Sequence, residues 1–364
     1  MNRSAIKMLC FILTVGGVCS VNAATYRAYI VNNKAPSKLT VVDDATGDIL
    51  AQPSTGNTSV RAVISPDKKN VFVSNQDSGT VSVIDSVTNT VKATVTVGKK
   101  PEFMAHHPSQ NKLYVDNKDS GTVSVIDTSS FKVTKTITVK SQPRFMVITG
   151  NNLYVGNTGA GSVSVIDIST DRVVKTITVG QAPRNINASP DGTRVYVANY
   201  GSGTLSAIDT ASKTVAWTAT VGTNPSYAVP SPDNKYVYVT NTTEGTVSVV
   251  NTTSKLEEAV ISVGPTPWAI TVSADGKTAY TAVANANAAV AIDTATRKVK
   301  AKIATNKGPY WVELSPDGKN LYVTNPPAGT VSVIDTATLK VVDTVVTNLN
   351  PWVVLAADIS AVVP

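Results

Sequence analysis

The chain has 364 residues, a formal net charge of +7, 42% hydrophobic residues and 16% charged residues. A chain of this length can bury a large core, so it does not need disulfides or metal ions to fold. The mildly basic balance is only weak evidence for an anionic partner. No apolar run after residue 23 approaches 18 residues, so we expect no transmembrane helix in the mature chain.

The first 23 residues have the pattern of a secretory signal peptide. Arg3 and Lys7 provide a basic start, and the apolar run of residues 8–18 is too short to span a bilayer. Val21-Asn22-Ala23 is a small-residue cleavage site. Both cysteines lie in this segment, so the mature protein would have no disulfide and a charge of +5. We therefore predict a periplasmic or secreted, cell-surface protein.

The rest of the chain is an internal repeat, of which Leu321–Asp335 (LYVTNPPAGTVSVID) is a clear copy. Eight copies end in Asp43, Asp85, Asp127, Asp167, Asp209, Asn251, Asp293 and Asp335. Their spacing is 42 residues in every step except one of 40. Segments such as TVSVID alternate apolar and polar residues, as a strand does, and no copy has a helical stripe. Several short strands in a repeat of about 42 residues are typical of a β-propeller blade.

Each repeat divides into four strands, which we call A to D. In the copy that begins at Pro309, they are predicted at residues 310–315, 320–325, 330–335 and 340–346. The SPDG sequence turns strand A into strand B, because proline and aspartate suit the early positions of a type I turn and glycine suits its end.

The two ends of the chain complete one blade between them. Residues 24–52 supply strands B, C and D without an A strand, and residues 351–357 match strand A without a B strand. Pairing them would close the ring and remove an open sheet edge. We predict a single all-β domain over residues 24–364 with eight four-stranded blades. The alternative is seven, if one degenerate copy is not a true blade.

The residues that recur in every copy are interpreted as structural. The Asp after strand C can cap the next turn through its side chain. The Asn that ends strand B also recurs from copy to copy, so we interpret it as structural too. The sixth copy lacks that Asn, so we expect its B–C hairpin to be looser. His106 and His107 are neighbours on a strand and point to opposite faces, which disfavours a shared metal. We predict no catalytic residues and no metal site.

Function is instead expected where the repeat varies. In a propeller the A strands are innermost, and the loops D–A and B–C surround one mouth of the central channel. The two residues after the recurring proline differ in every copy and include three of the four tryptophans. The candidate ligand-binding residues in this row are Arg61, Glu102, Phe103, Arg144, Phe145, Arg184, Asn185, Tyr227, Trp268, Tyr310, Trp311 and Trp352. Arginines and aromatic rings together suit an anionic or planar ligand. The alternative is that the rings pack between blades or plug the channel.

These motifs carry a family resemblance. VYVTN at residues 237–241 and LYVTN at residues 321–325, with the SGTVSVID and SPDG patterns, resemble the YVTN-type β-propeller repeats of surface-layer and periplasmic proteins. The resemblance covers nearly the whole mature chain. It implies the propeller fold and a place in the cell envelope, but it implies little about activity, because function lies in sites added to a fold.

Three functions remain open. The first is a non-enzymatic binding scaffold for a protein, peptide, glycan or polyanion, with no cofactor. The second is binding of single-stranded nucleic acid, with the aromatic rings as stacking platforms and salt-sensitive affinity. The third is a cofactor-dependent oxidoreductase, since eight-bladed propellers serve quinone- and haem-dependent proteins. This third function would require paired acids, a ligand histidine or an arginine cluster at the mouth.

Overall fold

The structure is a computed structural model that describes residues 24–363, so the predicted signal peptide lies outside the described residues. The described chain forms eight separate four-stranded antiparallel sheets. The predicted eight-bladed propeller is confirmed, and the alternative of seven blades is wrong.

The strands follow one another with the regularity of the sequence repeat. The chain begins with β1 (Tyr26–Asn32), β2 (Leu39–Asp43) and β3 (Ile49–Ala51). Blade 1 contains β4 (Ser59–Ile64), β5 (Asn70–Asn75), β6 (Thr80–Asp85) and β7 (Val91–Thr96). Blade 2 contains β8 (Pro101–His106), β9 (Lys112–Asn117), β10 (Thr122–Asp127) and β11 (Lys132–Thr138). Blade 3 contains β12 (Pro143–Thr149), β13 (Asn152–Asn157), β14 (Ser162–Asp167) and β15 (Arg172–Thr178).

The second half of the ring repeats this arrangement. Blade 4 contains β16 (Pro183–Ala188), β17 (Arg194–Asn199), β18 (Thr204–Asp209) and β19 (Thr214–Thr220). Blade 5 contains β20 (Pro225–Pro230), β21 (Tyr236–Asn241), β22 (Thr246–Asn251) and β23 (Glu257–Ser262). Blade 6 contains β24 (Pro267–Val272), β25 (Thr278–Val283), β26 (Ala288–Asp293) and β27 (Lys298–Ala304). Blade 7 contains β28 (Val312–Leu314), β29 (Asn320–Asn325), β30 (Thr330–Asp335) and β31 (Lys340–Val346). Single 3₁₀ turns at Thr158–Ala160, Ala284–Ala286 and Pro326–Ala328 form B–C connections.

The ring closes in the eighth blade, as predicted. The last strand, β32 (Pro351–Asp358), pairs antiparallel with β1, from Tyr26 opposite Asp358 to Asn32 opposite Pro351. The resulting sheet has the order β3-β2-β1-β32. The C-terminal strand therefore supplies the inner A strand of a blade whose other strands come from the start of the chain.

Strands B and C are buried on both faces because each blade packs between two others. Tyr114 of β9 is fully buried and donates a hydrogen bond from its hydroxyl to Asp171 Oδ1 of the next blade, at 2.6 Å. The exposed aliphatic side chains lie largely on the outer D strands, such as Val174 of β15 and Val260 of β23. Burial thus decreases from the channel to the rim of the ring.

The Asn that ends strand B connects two strands through its side-chain amide. In blade 2, Asn117 Nδ2 donates to Thr122 Oγ1 at 3.0 Å and to Ser124 Oγ at 2.9 Å, and Asn117 Oδ1 accepts from the Gly98 amide at 2.9 Å. The group is fully buried, so these bonds replace the water that the amide loses on folding.

Blade 6 has Val283 at this position, and it also has Ala288 and Val290 where the hydroxyl partners would be. Its B–C hairpin keeps six residue pairs, from Thr278 opposite Asp293 to Val283 opposite Ala288. Donor and acceptors are replaced together, so the pairing of the other blades is kept, and the looser hairpin stays a prediction.

The other recurring polar residues are turn caps. Asp127 Oδ1 accepts hydrogen bonds from the amides of Ser129 and Ser130 at 2.9 and 2.7 Å, and these bonds lower the pKa of the carboxyl group. His107 has the equivalent role in its own turn, where Nδ1 accepts from the amides of Ser109 and Gln110. The structural interpretation of these two positions is confirmed.

Candidate functional site

The site begins with an irregularity that recurs at the start of strand A. In blade 3 the pairing of β12 with β13 shifts register between Pro143 and Met146, and blades 2, 4 and 6 have the same bulge. A bulge releases residues from the regular ladder and re-aims their side chains. In blade 7 the regular strand begins only at Val312, two residues later than predicted, which leaves Tyr310 and Trp311 outside it.

The released side chains surround a cavity of about 340 Å³ at the channel mouth. It is lined by Asn33, Thr58, Val60, Arg61, Gln76, Glu102, Phe103, Lys118, Arg144, Phe145, Tyr227, Tyr310, Trp311, Trp352 and Val353. Nine of the twelve residues predicted from the sequence are in this lining.

Arg61 crosses the floor of the cavity. Its guanidinium lies 4.4 Å from the ring centre of Phe103 and 4.0 Å from that of Trp311. Its Nη2 donates a hydrogen bond to the hydroxyl of Tyr227 at 3.2 Å. Arg61 belongs to blade 1 and Tyr227 to blade 5, four blades away in a ring of eight, so the two side chains meet across the ring.

Aromatic rings complete this floor. Phe103 and Phe145 lie 4.0 Å apart between ring centres, and Tyr227 contacts Phe145 and Trp311 edge-on at 6.1 and 5.5 Å. Phe145 has a φ of 61°, a strained conformation for a bulky residue that persists only where packing enforces it. These rings and Arg61 therefore pack into one cluster on the cavity lining.

One wall of the cavity is an ion network around Glu102. This carboxylate is 4% exposed, pairs with Arg144 Nε and accepts a hydrogen bond from Gln76 Nε2. Lys118 Nζ lies 3.8 Å from the same carboxylate. Arg144 and Lys118 thus share one buried carboxylate, and both cations line the cavity.

A second carboxyl group lies behind this wall. Asp116 is fully buried, and its Oδ1 accepts hydrogen bonds from the amides of Glu102 and Phe103, each at 3.0 Å. Burial, together with the negative charge of Glu102, raises the pKa of Asp116 well above its usual range. Its Oδ2 has no hydrogen-bond partner among the described residues.

The opposite wall is an aromatic ladder. Tyr310 stacks on Trp352 with ring centres 4.1 Å apart and an interplanar angle of 30°, and it lies 5.4 Å from Trp268. The Arg184 guanidinium continues the ladder, 5.8 Å from Trp268 and 4.1 Å from Tyr200. Burial lowers the pKa of Arg184, and the nearby charge of Arg144 adds to this effect.

Next to Trp311 lies an acid, Glu313. Trp311 lies just before the regular strand A of blade 7, and Glu313 lies within that strand. The indole Nε1 of Trp311 donates to Glu313 Oε2 at 3.3 Å. Burial raises the pKa of Glu313 to about 7, although the hydrogen bond from Trp311 and the charge of Arg61 oppose this shift.

The three remaining predicted residues lie outside the cavity lining. Arg184 and Trp268 belong to the ladder beside it. Asn185 is buried between blades, where its Oδ1 accepts from the Ala228 amide at 3.0 Å and from Asn187 Nδ2 at 2.9 Å. This hydrogen bonding makes Asn185 a structural residue.

Sequence reasoning missed several residues of the site. Gln76, Lys118 and Tyr200 each follow the Asn that ends strand B, and this row also varies between copies. Reading that row beside the A-strand row would have found all three. Asp116 and Glu313 lie inside strands, at positions where the other copies of the repeat have no acid. The only sequence signal for these two residues was the presence of an acid in one copy.

The comparisons with known proteins agree with this architecture. A model of the YNCE-like beta-propeller family matches residues 58–361. This chain belongs to the YNCE-like beta-propeller family. No curated protein matches it significantly.

Several solved structures are similar to this YNCE-like propeller. Kuenenia stuttgartiensis hydrazine synthase is 26% identical with a TM-score of 0.62, over 76% of this chain and 95% of that one. The dihydro-heme d1 dehydrogenase NirN is 15% identical with a TM-score of 0.77, over 93% of this chain and 75% of that one. Citrobacter koseri AztD is 15% identical with a TM-score of 0.71, over 92% of this chain and 98% of that one. At 15% identity, the likeness to NirN and AztD concerns the fold alone.

Within residues 24–363, no helix is long and apolar enough to cross a bilayer. The same residues contain no group of three or more His, Cys, Asp or Glu side chains placed to hold a metal ion.

Proposed function

We propose that this YNCE-like propeller is an exported binding protein that holds its ligand at the mouth of the channel. The observation that carries this proposal is the convergence of variable residues from many blades on one cavity, while the rest of each repeat stays uniform. Small-molecule and peptide sites are typically concave, mostly apolar and equipped with a few well-placed polar groups.

Export and a role in the cell envelope rest on the sequence. The basic start, apolar run and cleavage pattern of residues 1–23 support secretion to the periplasm or the cell surface. The VYVTN and LYVTN motifs support the finer assignment to YVTN-type repeats of surface-layer and periplasmic proteins.

Binding rather than catalysis is supported by the polar groups of the site, which already have partners within the protein. Glu102 is engaged by Arg144, Lys118 and Gln76, and Arg61 is held by two rings and the Tyr227 hydroxyl. A general acid or base has to reach its substrate, and the acid of this network is almost completely buried.

A second candidate is single-stranded nucleic acid, and the aromatic ladder favours it. Trp268, Tyr310 and Trp352 present successive half-buried rings, with the Arg184 cation at one end. Rings arranged in this way can stack on successive bases while arginines contact the backbone.

Tryptophan fluorescence tests both candidates. Three of the four tryptophans lie at the mouth, and replacing the remote Trp217 by Phe would leave only these reporters. The protein is titrated with single-stranded oligonucleotides, sugars and peptides at low and high salt. Arg144→Ala and Arg184→Ala are compared with Arg297→Ala, which removes a cation from a turn outside the mouth.

A saturable change that the two mouth substitutions weaken, and that the control leaves intact, supports a ligand site at the mouth. If only oligonucleotides change the tryptophan fluorescence, and if added salt suppresses this change, the second candidate is correct. A sugar response without salt dependence points to a glycan scaffold. If no compound changes the emission, the rings serve as packing and the proposal fails.

A further inference from the structure

We propose that the cavity above Arg61 takes a small planar anion of the aromatic carboxylate class, and that Glu313 takes up a proton when this anion binds. The inference rests on the proposed binding function and specifies the ligand of the same site. Three observations carry it: the environment of Arg61, the size and walls of the cavity, and the position of Glu313.

Arg61 is a partly buried cation without a carboxylate in contact. Among the described residues, no Asp or Glu oxygen lies within ion-pair distance of its guanidinium. Its contacts are the faces of Phe103 and Trp311 and the Tyr227 hydroxyl. A guanidinium has five N–H donors in one plane and pairs with carboxylates through two parallel hydrogen bonds. The Tyr227 hydroxyl accepts from one of these donors, so other N–H groups of Arg61 can donate to an anion in the cavity.

The cavity limits the size and shape of that anion. A volume of about 340 Å³ is at the lower end of the range for ligand sites, which favours a compact molecule over a polymer. Arg144 and Lys118 line one wall and add positive charge. Tyr310 and Trp352 also line the cavity and give this part of the lining an aromatic character. The two walls suit a molecule with a charged end and a planar body.

Glu313 contacts the Arg61 cluster through Trp311. Trp311 joins the two groups, since its ring lies against the Arg61 guanidinium and its Nε1–H donates to the Glu313 carboxylate. The adjacent A strands carry uncharged Thr271 and Leu355 at the equivalent position of the repeat. Arg61 is the charged group whose field acts on the pKa of Glu313.

The direction of the coupling follows from these charges. The positive charge of Arg61 stabilises the ionised form of Glu313. An anion bound to Arg61 reduces that stabilisation and adds a repulsive charge, so the pKa of Glu313 rises and the carboxylate binds a proton. Because linkage is reciprocal, a protonated Glu313 must favour the anion equally. Affinity therefore increases as the pH falls through the pKa of Glu313, which is about 7.

Benzoate is the probe, because its own charge is constant between pH 6 and pH 8. Benzamide is the neutral control of the same shape, and cyclohexanecarboxylate is the non-planar anion. Binding is measured calorimetrically at pH 6, 7 and 8, with two cationic buffers of different ionisation enthalpy to count protons. The variants are Arg61→Gln, the nearly isosteric Glu313→Gln, and Glu258→Gln as a surface control.

We expect benzoate to bind about tenfold more tightly at pH 6 than at pH 8, with uptake of about half a proton at pH 7. Glu313→Gln should bind benzoate with the same affinity at all three pH values and without proton uptake. Arg61→Gln should lose at least tenfold in affinity, while the surface control should behave like the wild type. Benzamide should not bind.

Different failures have different meanings. A pH dependence that persists in Glu313→Gln refutes the linkage, even if benzoate binds. Equal binding of benzamide, or unchanged binding by a folded Arg61→Gln protein, refutes the anion site. If benzoate does not bind but an oligonucleotide or sugar changes the mouth fluorescence, the ligand class is wrong and the binding function stands. If no ligand acts, the proposed function fails as well.

Discussion

Replacing Asp116 by Asn should stabilise the protein at neutral pH, although the substitution removes a charge from a salt-bridged region. In the equivalent position of blade 5, the Thr240 hydroxyl accepts a hydrogen bond from the Tyr227 amide at 3.1 Å and donates one to the Trp268 carbonyl of the next blade at 2.8 Å. Thr324 of blade 7 does the same. The position therefore needs an acceptor and a donor in one side chain.

An ionised Asp116 supplies only the acceptor. Its Oδ1 takes two amide hydrogen bonds, whereas its buried Oδ2 has no partner among the described residues. An asparagine keeps the acceptor and gains an N–H₂ that faces the next blade. A buried polar group without a partner costs about 1–3 kcal/mol, which is the gain that we expect at pH 8. With about 2.1 cal/mol/K of unfolding entropy per residue, this gain raises the Tm by roughly 1–4 °C.

The pH dependence is the sharper part of the test. The folded-state pKa of Asp116 is raised, so the protonated form is favoured in the native state and the native state is relatively more stable below the unfolded pKa of about 3.9. That contribution is lost as the pH rises through the raised pKa. The advantage of Asp116→Asn should therefore be smallest near pH 4 and grow towards pH 8.

Thermal and urea unfolding at several pH values measure this trend. Asp127→Asn is the matched control, because that turn aspartate has a lowered pKa and the same substitution should destabilise the protein at pH 7 but not at low pH. If Asp116→Asn is less stable than the wild type at pH 8, or if its effect does not depend on pH, the explanation is wrong.

Two further predictions concern the repeat and the closure of the ring. Asn117→Ala leaves Gly98 N–H, Thr122 and Ser124 without their buried partner and should cost about 2–4 kcal/mol in urea unfolding, whereas Asn33→Ala, which removes a partly exposed amide, should cost less than 1 kcal/mol. Equal effects would show that the strand-ending Asn has no special role. Deleting residues 351–364 removes β32 and exposes the edge of β1, so the protein should lose solubility and cooperative unfolding. A soluble truncated protein with one sharp transition would contradict the closure mechanism.

The architecture could be predicted because every blade is built from the same sequence pattern. Strand-ending Asn, turn-capping Asp and alternating apolar residues recur at a fixed period, so the eight copies confirm one another and locate strands such as β29 and β30 to the residue. The prediction was less accurate where one copy departs from the rest. Strand A of blade 7 begins at Val312, two residues later than the repeat predicts, and one segment alone does not reveal where its regular pairing begins.

The candidate site was predictable as a row of positions but not as an arrangement. Variation after the recurring proline indicated which residues surround the mouth, and most of them line the cavity. The sequence could not show that Arg61 reaches Tyr227 on the opposite blade, because the two residues are 166 positions apart and meet only in the closed ring. Nor could the sequence separate the rings that cluster around Arg61 from those that form the ladder, since the direction of each ring depends on local bulges.

The composite eighth blade also determines the order in which the molecule can be completed. Strand β1 is among the first parts of the described chain to be synthesised, but its partner β32 is among the last. Until that final strand emerges from the ribosome or from a translocation channel, the inner edge of β1 has no partner and the ring stays open. The ring of this chain can therefore close only after β32 is available to pair with β1.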